Sequence, residues 1–535
     1  MDKMNLIIER AIQNHNIPVD WPDGIEDELD QIQSSAGRGE NRRLDLRDFS
    51  FVTIDGADAR DFDDAVYGQS EQDGWKLWVA IADVSYFVPL GCQLDRVAAR
   101  RGNSVYFPNR VVPMLPEILS NDLCSLISGQ DRYVMVCEIR IDRSGQIRSS
   151  LFHQAIISSQ ARLTYDAVQG YLDGGAPPRS DLVSGEIQKN LDNLCGIVQA
   201  LTIERKNRGS IDLEIPEARI KFSNTGEIEN ICRVYRNDAH RLIEECMLAA
   251  NLCAARLLEK KSVPALFRLH EEPASEDIVS FRQSLAGLGL TMSGKSSPSA
   301  RDLAEVLCSA RNKAVSVDNV QMLLLRSMKQ AVYSANKGPH FALGYPVYTH
   351  FTSPIRRYPD LVVHRLLKKR LGWKQNQTDT GYSVDTDLAD IAVHCSLTER
   401  RAESAEREVA RQLTAEFMRK KIGLRFAGVV SGVTEFGVFV QLNDFPIDGL
   451  IHVSKLGLEY FLFDAPRSQL TGQTSGRVWR LGDVVRVVVA RVDLEKGRID
   501  FSLAQHNGKS VQLEGPRDKL NRPRRARRKR RQIVG

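Results

Sequence analysis

The 535-residue sequence has no apolar run near the roughly 18 residues that span a bilayer, and no signal-peptide pattern opens it. No membrane partner is expected. Its nine cysteines are scattered singly, without a Cys-x-x-Cys pair. That spacing argues against a zinc site and a disulfide framework, and fits a reducing, cytoplasmic setting. Excess charge of one sign is also missing from most of the chain. The net charge is +5, yet residues 516–535 hold ten Lys or Arg and one Asp, or +9, which leaves about −4 for the rest. The positive charge is therefore a tail, expected to be disordered and to attract phosphates regardless of sequence. What remains is ordinary globular composition, 42% hydrophobic and 26% charged, in a chain long enough for about two to four domains.

The densest chemistry lies in Thr53-Ile-Asp-Gly-Ala-Asp-Ala-Arg-Asp-Phe-Asp-Asp-Ala-Val-Tyr67. A short apolar strand, Phe51 to Ile54, ends in a Gly56 turn, and Asp55, Asp61, Asp63 and Asp64 fall within ten residues. In an extended segment Asp61 and Asp63 point to one side and Asp64 to the other. Such a cluster repels itself unless cations neutralise it. Oxygen-only ligands suit a hard, magnesium-like ion, and two such ions would balance the four charges, as for attack on a phosphodiester. The competing reading is a calcium loop or a solvated acidic turn, although the EF-hand pattern is missing. The cluster alone suits a catalytic or a structural metal site equally.

Around it the sequence predicts two short helices, Asn5 to Gln13 and Gly24 to Ile32, and a polar linker at residues 34–39. A hairpin is expected at Asp73-Gly74, followed by a buried strand over Lys76 to Val84. Residues 102–126 are irregular; Phe107 reads as core, while Tyr106, among polar neighbours, suits either the core or a base-stacking wall. Strands with one helical stretch, about 185–208, fill residues 131–235. Asn237 or Asp238 then caps a long helix. Its His240, Glu244 and Glu245 read as groups that orient neighbours or form ordinary salt bridges rather than as ligands. Gly294-Lys295-Ser296 lacks the earlier glycine and the strand of a P-loop. In His350-Phe-Thr-Ser-Pro-Ile-Arg-Arg-Tyr-Pro-Asp360, prolines stiffen the chain around Arg356 and Arg357. Fixed guanidinium groups suit stabilisation of a phosphate's developing charge; the alternative is a structural pair with Asp360. A charged helix over 397–421 with Val409, Leu413 and Phe417 on one face ends at Gly423. Five short strands then follow within about eighty residues, which suggests a small OB-type barrel. Phe436, Phe439 and His452 would be its stacking groups for single-stranded nucleic acid.

With these motifs in view, joined by Ser-Val-Tyr-Phe-Pro and Pro-Met-Leu-Pro-Glu-x-Leu-Ser-Asn, the chain resembles bacterial exoribonucleases of the RNase II superfamily, on the RNase R side. The resemblance implies an α+β architecture. A mixed α/β RNB catalytic domain would span 46–371, after an N-terminal segment, 1–45. A helical extension would cover 372–422, a five-stranded S1-type OB barrel 423–504, and a basic disordered tail 505–535. It also implies a magnesium-dependent, processive 3′→5′ exoribonuclease, with manganese possible in its place. Single-stranded RNA, and structured RNA with a 3′ overhang, would be hydrolysed to nucleoside 5′-monophosphates in RNA decay. Asp55, Asp61, Asp63 and Asp64 match the metal and catalytic carboxylates, and Arg356 the arginine on the scissile phosphate. Tyr106 matches the aromatic under the 3′-terminal base, with Arg357 beside it as an RNA contact. Glu406 resembles an RNA-facing residue of the RNase II branch. Two cold-shock domains usually precede the catalytic domain in this family, and here the numbering opens at the linker into it. A monomer is expected, with ribosomes or RNA-decay factors as further partners. Two other classes stay open: a catalytically idle RNA-binding protein and a nuclease acting on DNA.

Overall fold

The computed structural model describes residues 3–35, 43–175, 185–223, 225–260, 264–293, 297–313, 316–373, 388–465, 467–506 and 509–510. Most of the 34–39 linker, the Gly294-Lys295-Ser296 segment and residues 511–535 of the tail lie outside them, while residues 505–506, expected in the tail, belong to the last barrel strand. The chain divides into two compact units, 1–417 with 494–497, and 418–493 with 498–535. The N-terminal segment and most of the helix after residue 388 thus fall in the same unit as the acidic loop.

In the first unit the strands are β1 (Leu44–Asp45), β2 (Val52–Asp55), β3 (Asp64–Glu71), β4 (Gly74–Ala82), β5 (Val105–Phe107), β6 (Arg110–Val112), β7 (Asp131–Asp142), β8 (Ile147–Ser158) and β9 (Ala161–Thr164). Seven form one sheet in the order β1-β8-β7-β4-β3-β2-β9, while β5 and β6 form a separate hairpin. Pairing is antiparallel except at the rims, where β1 joins β8 and β2 joins β9 in parallel. Leu77 to Ala82 is buried almost without interruption because both sheet faces are covered. The helices Gly185–Arg208 and Asp238–Glu259 pack against β3, β4 and β7. The β3–β4 turn is Gln72-Asp73, with Gly74 opening the next strand opposite Glu71.

The helix Tyr358–Arg370 is fastened from below by buried charge. Asp83 accepts from Lys368 Nζ at 2.5 Å and from Arg43 Nη2 at 2.8 Å, and all three side chains are at most 4% exposed. One turn away Arg365 Nη1 lies 2.7 Å from Asp95 Oδ1, which also accepts from the Tyr358 hydroxyl at 3.0 Å. These two staples fix the Pro-rich turn that leads into the helix.

Several boundaries differ from the sequence reading. β4 stops at Ala82, and Val84 instead opens a four-residue helix. The charged helix begins at Leu388 and ends at Arg419, so it starts nine residues early. A helix over Tyr165–Leu172 was not anticipated; Thr164 caps it, accepting from Ala167 N–H at 3.2 Å.

The second unit is a five-stranded barrel of Arg425–Thr434, Gly437–Leu442, Asp448–His452, Val484–Asp493 and Arg498–His506. Antiparallel neighbours are closed by a parallel pairing of Leu450 with Asp500. The connection over residues 455–480 contains its own three-stranded sheet, Phe461–Asp464, Gln469–Gly472 and Val478–Arg480. Its Trp479 is fully buried and stacks on His506, with ring centroids 3.8 Å apart.

Candidate active site

The acidic loop runs from the end of β2 to the start of β3, and backbone and side-chain hydrogen bonds fix its course. Ser125 Oγ donates to Arg60 O at 2.7 Å and accepts from Phe62 N–H at 3.0 Å. Arg162 Nη2 donates to Ala57 O and Ala59 O at 2.7 and 3.2 Å. Asp63 O accepts from Ala82 N–H at 2.9 Å, so the loop is already paired to the sheet before β3 begins.

Each aspartate has a distinct setting. Asp55 is half-buried and accepts from Gly56 N–H at 2.7 Å. Asp61 accepts from the Tyr106 hydroxyl at 2.9 Å. Asp63 is buried, and its Oδ1 accepts from Ile355 N–H at 2.8 Å. Its Oδ2 is buried with no hydrogen-bond partner, the Nε of Arg356 lying 3.7 Å away. Asp64, half-buried, opens β3. Burial raises the carboxyl of Asp55, and raises that of Asp63 well above its usual range. Burial together with the charge of Asp55 pushes Asp64 up to about 7. Negative charge is uncomfortable here, and Arg356 only partly relieves it.

Among the described residues no three His, Cys, Asp or Glu side chains are already grouped to hold a metal ion. The four-aspartate metal site expected from the sequence is thus not a formed ligand cage. Its ingredients fit a hard divalent cation nonetheless. The donors are all carboxylate oxygens, they repel one another, and one buried oxygen, Asp63 Oδ2, is left without a donor.

Arg356 and Tyr106 reach the loop together because their backbones are joined. Ser104 N–H donates to Arg356 O at 3.0 Å, Tyr358 N–H donates to Gly102 O at 2.9 Å, and Asn103 bridges to Arg357. The Arg356 side chain is 45% exposed and reaches Asp63, whereas Arg357 donates to Asp360 Oδ1 at 2.8 Å. Of the two arginines, Arg357 takes the structural pairing with Asp360. Glu406 likewise serves the protein. Its Oε1 accepts from Tyr106 N–H at 2.8 Å, which makes it a support of Tyr106.

Gly102 turns the chain into this segment with φ +76°, and a Cβ there would lie 2.0 Å from Thr398 Oγ1. Gly102→Ala is therefore expected to cost about 1–3 kcal/mol of stability. It should also lower activity by displacing Tyr106. Urea denaturation beside an activity assay checks both, and an unchanged midpoint would contradict the role given to Gly102.

The sequence reading missed one aromatic pair. Tyr165 stacks on His240 with centroids 3.9 Å apart and planes 16° from parallel, and Tyr165 feels the charges of Asp55 and Asp64. Glu244 and Glu245 do form ion pairs, with Arg205 and, for Glu244, Arg236. In the barrel Phe436 and Phe439 meet edge to face, with centroids 6.0 Å apart. His452 is exposed opposite Gly437 on the neighbouring strand.

The RNB domain family matches residues 43–372, and the S1 RNA binding domain matches residues 419–504. Ribonuclease R of Escherichia coli (strain K12) is 46% identical over 510 residues, covering 93% of this chain and 62% of the relative. Ribonuclease R of Buchnera aphidicola subsp. Schizaphis graminum is 40% identical, covering 93% of this chain and 69% of the relative. Mycoplasma genitalium RNase R, solved in complex with ribose-methylated single-stranded RNA, superposes with a TM-score of 0.87 at 30% identity, covering 94% of this chain and 78% of that one. This chain thus spans about three fifths of the length of the Escherichia coli relative. No described helix is long and apolar enough to cross a membrane. A sheet that carries these aspartates, followed by an S1 barrel, and a likeness running through nearly the whole sequence place the chain in the RNB family, on its ribonuclease R branch.

Proposed function

We propose that this chain removes nucleotides from the 3′ ends of RNA, 3′→5′ and processively, releasing nucleoside 5′-monophosphates. Single-stranded RNA is the primary substrate, and structured RNA with a 3′ overhang a further one. The carrying observation is the hydrogen bond from the Tyr106 hydroxyl to Asp61. It sets an aromatic ring, 39% exposed, beside the carboxylates and the half-exposed Arg356. Asp55, Asp61, Asp63 and Asp64 would hold divalent cations, two by charge and magnesium before manganese, whose bound form supplies Lewis-acid polarisation of the phosphodiester. The ring of Tyr106 stacks on the 3′-terminal base and stops the strand there. Arg356 holds the terminal phosphate and balances charge that develops on it. Phe436, Phe439 and His452, with the basic tail, add further contacts to the RNA. The RNA complex of the Mycoplasma relative supports RNA as the substrate, and contacts to 2′-hydroxyls would disfavour DNA. The free thiols of all nine cysteines suit work in a reducing cytoplasm.

The test is a time course with magnesium on 5′-labelled single-stranded RNA, beside the same RNA blocked at its 3′ end. Shortening to an end product of a few nucleotides, only from the unblocked strand, is the expected result. Intact RNA that still shifts with protein would make the chain a binder. Cleavage of the deoxy strand at a similar rate would make it a general nuclease.

The raised carboxyls carry a pH signature. A folded-state pKa above the unfolded one means the native protein binds more protons, so these groups cost stability as pH rises through the interval. For Asp64 that interval runs from about 4 to about 7. Cations remove the cost. Magnesium should therefore raise the melting temperature more at pH 8 than at pH 5, and an equal shift at both would contradict it.

A further inference from the structure

We infer that the N-terminal helix Lys3–Asn14, with the turn that follows it, is a positioning element for Tyr106 and so sets the length at which RNA shortening stops. The inference rests on the proposed exonuclease reading. Tyr106 sits in a hairpin of two three-residue strands, β5 and β6. So small a hairpin has little stability of its own, and its place is decided by what it packs on. Along β5 the side chains alternate: Tyr106 is exposed, while Val105 and Phe107 are buried. Beneath them Ile8 and Ala11, both fully buried, and Ile12 and Ile17 form one core with Val105, Phe107 and Val112. The same core takes in Ala402, Ala405, Val409 and Leu413 of the helix that carries Glu406.

Polar contacts fix the same parts. Arg110 on β6 donates to Glu9 Oε1 at 2.6 Å. Asn14 Nδ2 donates to Glu408 Oε1 at 2.9 Å, and His15 Nε2 lies 2.8 Å from Glu408 Oε2. Glu408 stands two residues after Glu406, whose carboxylate holds Tyr106 N–H. The N-terminal helix therefore fixes the hairpin core directly and the Tyr106 backbone through one further helix. A stacking wall displaced by about 1 Å misplaces the reacting phosphate. An RNA too short to bridge the remaining contacts is then released earlier.

The experiment reads the end product of 5′-labelled RNA at single-nucleotide resolution. Ile8→Ala with Ile12→Ala opens a cavity under Phe107, and the end product should lengthen by at least one nucleotide and spread over several bands. Leu307→Ala, in the separate core of helices Ser275–Gly287, Ala300–Asn312 and Val317–Ser327, is the control. It should lower the melting temperature and leave the end product unchanged. A milder series avoids dependence on core variants that fail to fold. Glu9→Arg and Arg110→Glu should each shift the end product, and the two together should restore it. A wild-type end product from the folded isoleucine variants, or from each of the two single charge reversals, overturns the inference. Wild-type protein that leaves RNA whole instead defeats the exonuclease reading itself.

Discussion

Replacing Asp63 by Asn should lower turnover on the order of 10³-fold, with RNA binding retained. Asp63 is the most deeply placed of the four aspartates, and its Oδ2 has no protein donor although it is buried. An amide at that position keeps an oxygen for Ile355 N–H, so the turn before Arg356 stays in place. What is lost is the negative charge. Burial raises the Asp63 carboxyl well above its usual range, with Arg356 opposing, which means the ionised form is held against its own preference. The variant should accordingly melt at or above the wild-type temperature in chelator, where no cation repays the charge. Gel-shift titration, single-turnover kinetics and a thermal melt separate the claims. A variant with near wild-type turnover would remove Asp63 from the chemistry, and one that unfolds would make it a structural residue.

Asp83→Asn should be the most damaging single change to stability, at about 3–5 kcal/mol. Burial disfavours the Asp83 carboxylate, yet the charges of Lys368 and Arg43 outweigh that and hold its pKa well below the usual carboxylate range. An asparagine leaves two nearly inaccessible cations facing a neutral amide. The sign is opposite to that of the loop aspartates. A depressed carboxylate contributes stability at pH values above its unfolded pKa and loses it as pH falls through the folded one. The difference between wild type and Asp83→Asn in urea should therefore be full at neutral pH and shrink on strong acidification. A difference below about 1 kcal/mol at pH 7 would show that the staple does not hold the helix.

The residues legible in the sequence are those whose chemistry is local. The acidic loop announces itself by charge density, and the turn around Arg356 by two prolines. The barrel is visible because its strands alternate, as in Val484 to Asp493. What escaped depends on contacts across the chain. Nothing near Tyr106 reveals that its hydroxyl reaches Asp61, 45 residues earlier, or that Glu406, 300 residues later, holds its amide. Arg356 and Arg357 are chemically alike, and only the fold gives one to Asp63 and the other to Asp360. The helix Tyr165–Leu172 follows β9 without a break, so its one signal was the capping Thr164. The small sheet within the barrel connection has strands of three and four residues, too short for a period to show. The first helix carries no local motif, because its contribution is made by packing and by polar contacts to residues far along the chain.

One measurement bears most directly on the claim that the four aspartates, Arg356 and Tyr106 form a single hydrolytic site at an RNA 3′ end. RNA radiolabelled in its 3′-terminal nucleotide is mixed with the purified chain and magnesium, and early products are separated by chromatography. The expected result is that the label appears first as a nucleoside 5′-monophosphate, before any shorter internal fragment, and does not appear with Asp63→Asn. Label released as a free nucleoside, the terminal phosphate staying on the shortened strand, or found first in an internal fragment, would contradict that chemistry and that polarity.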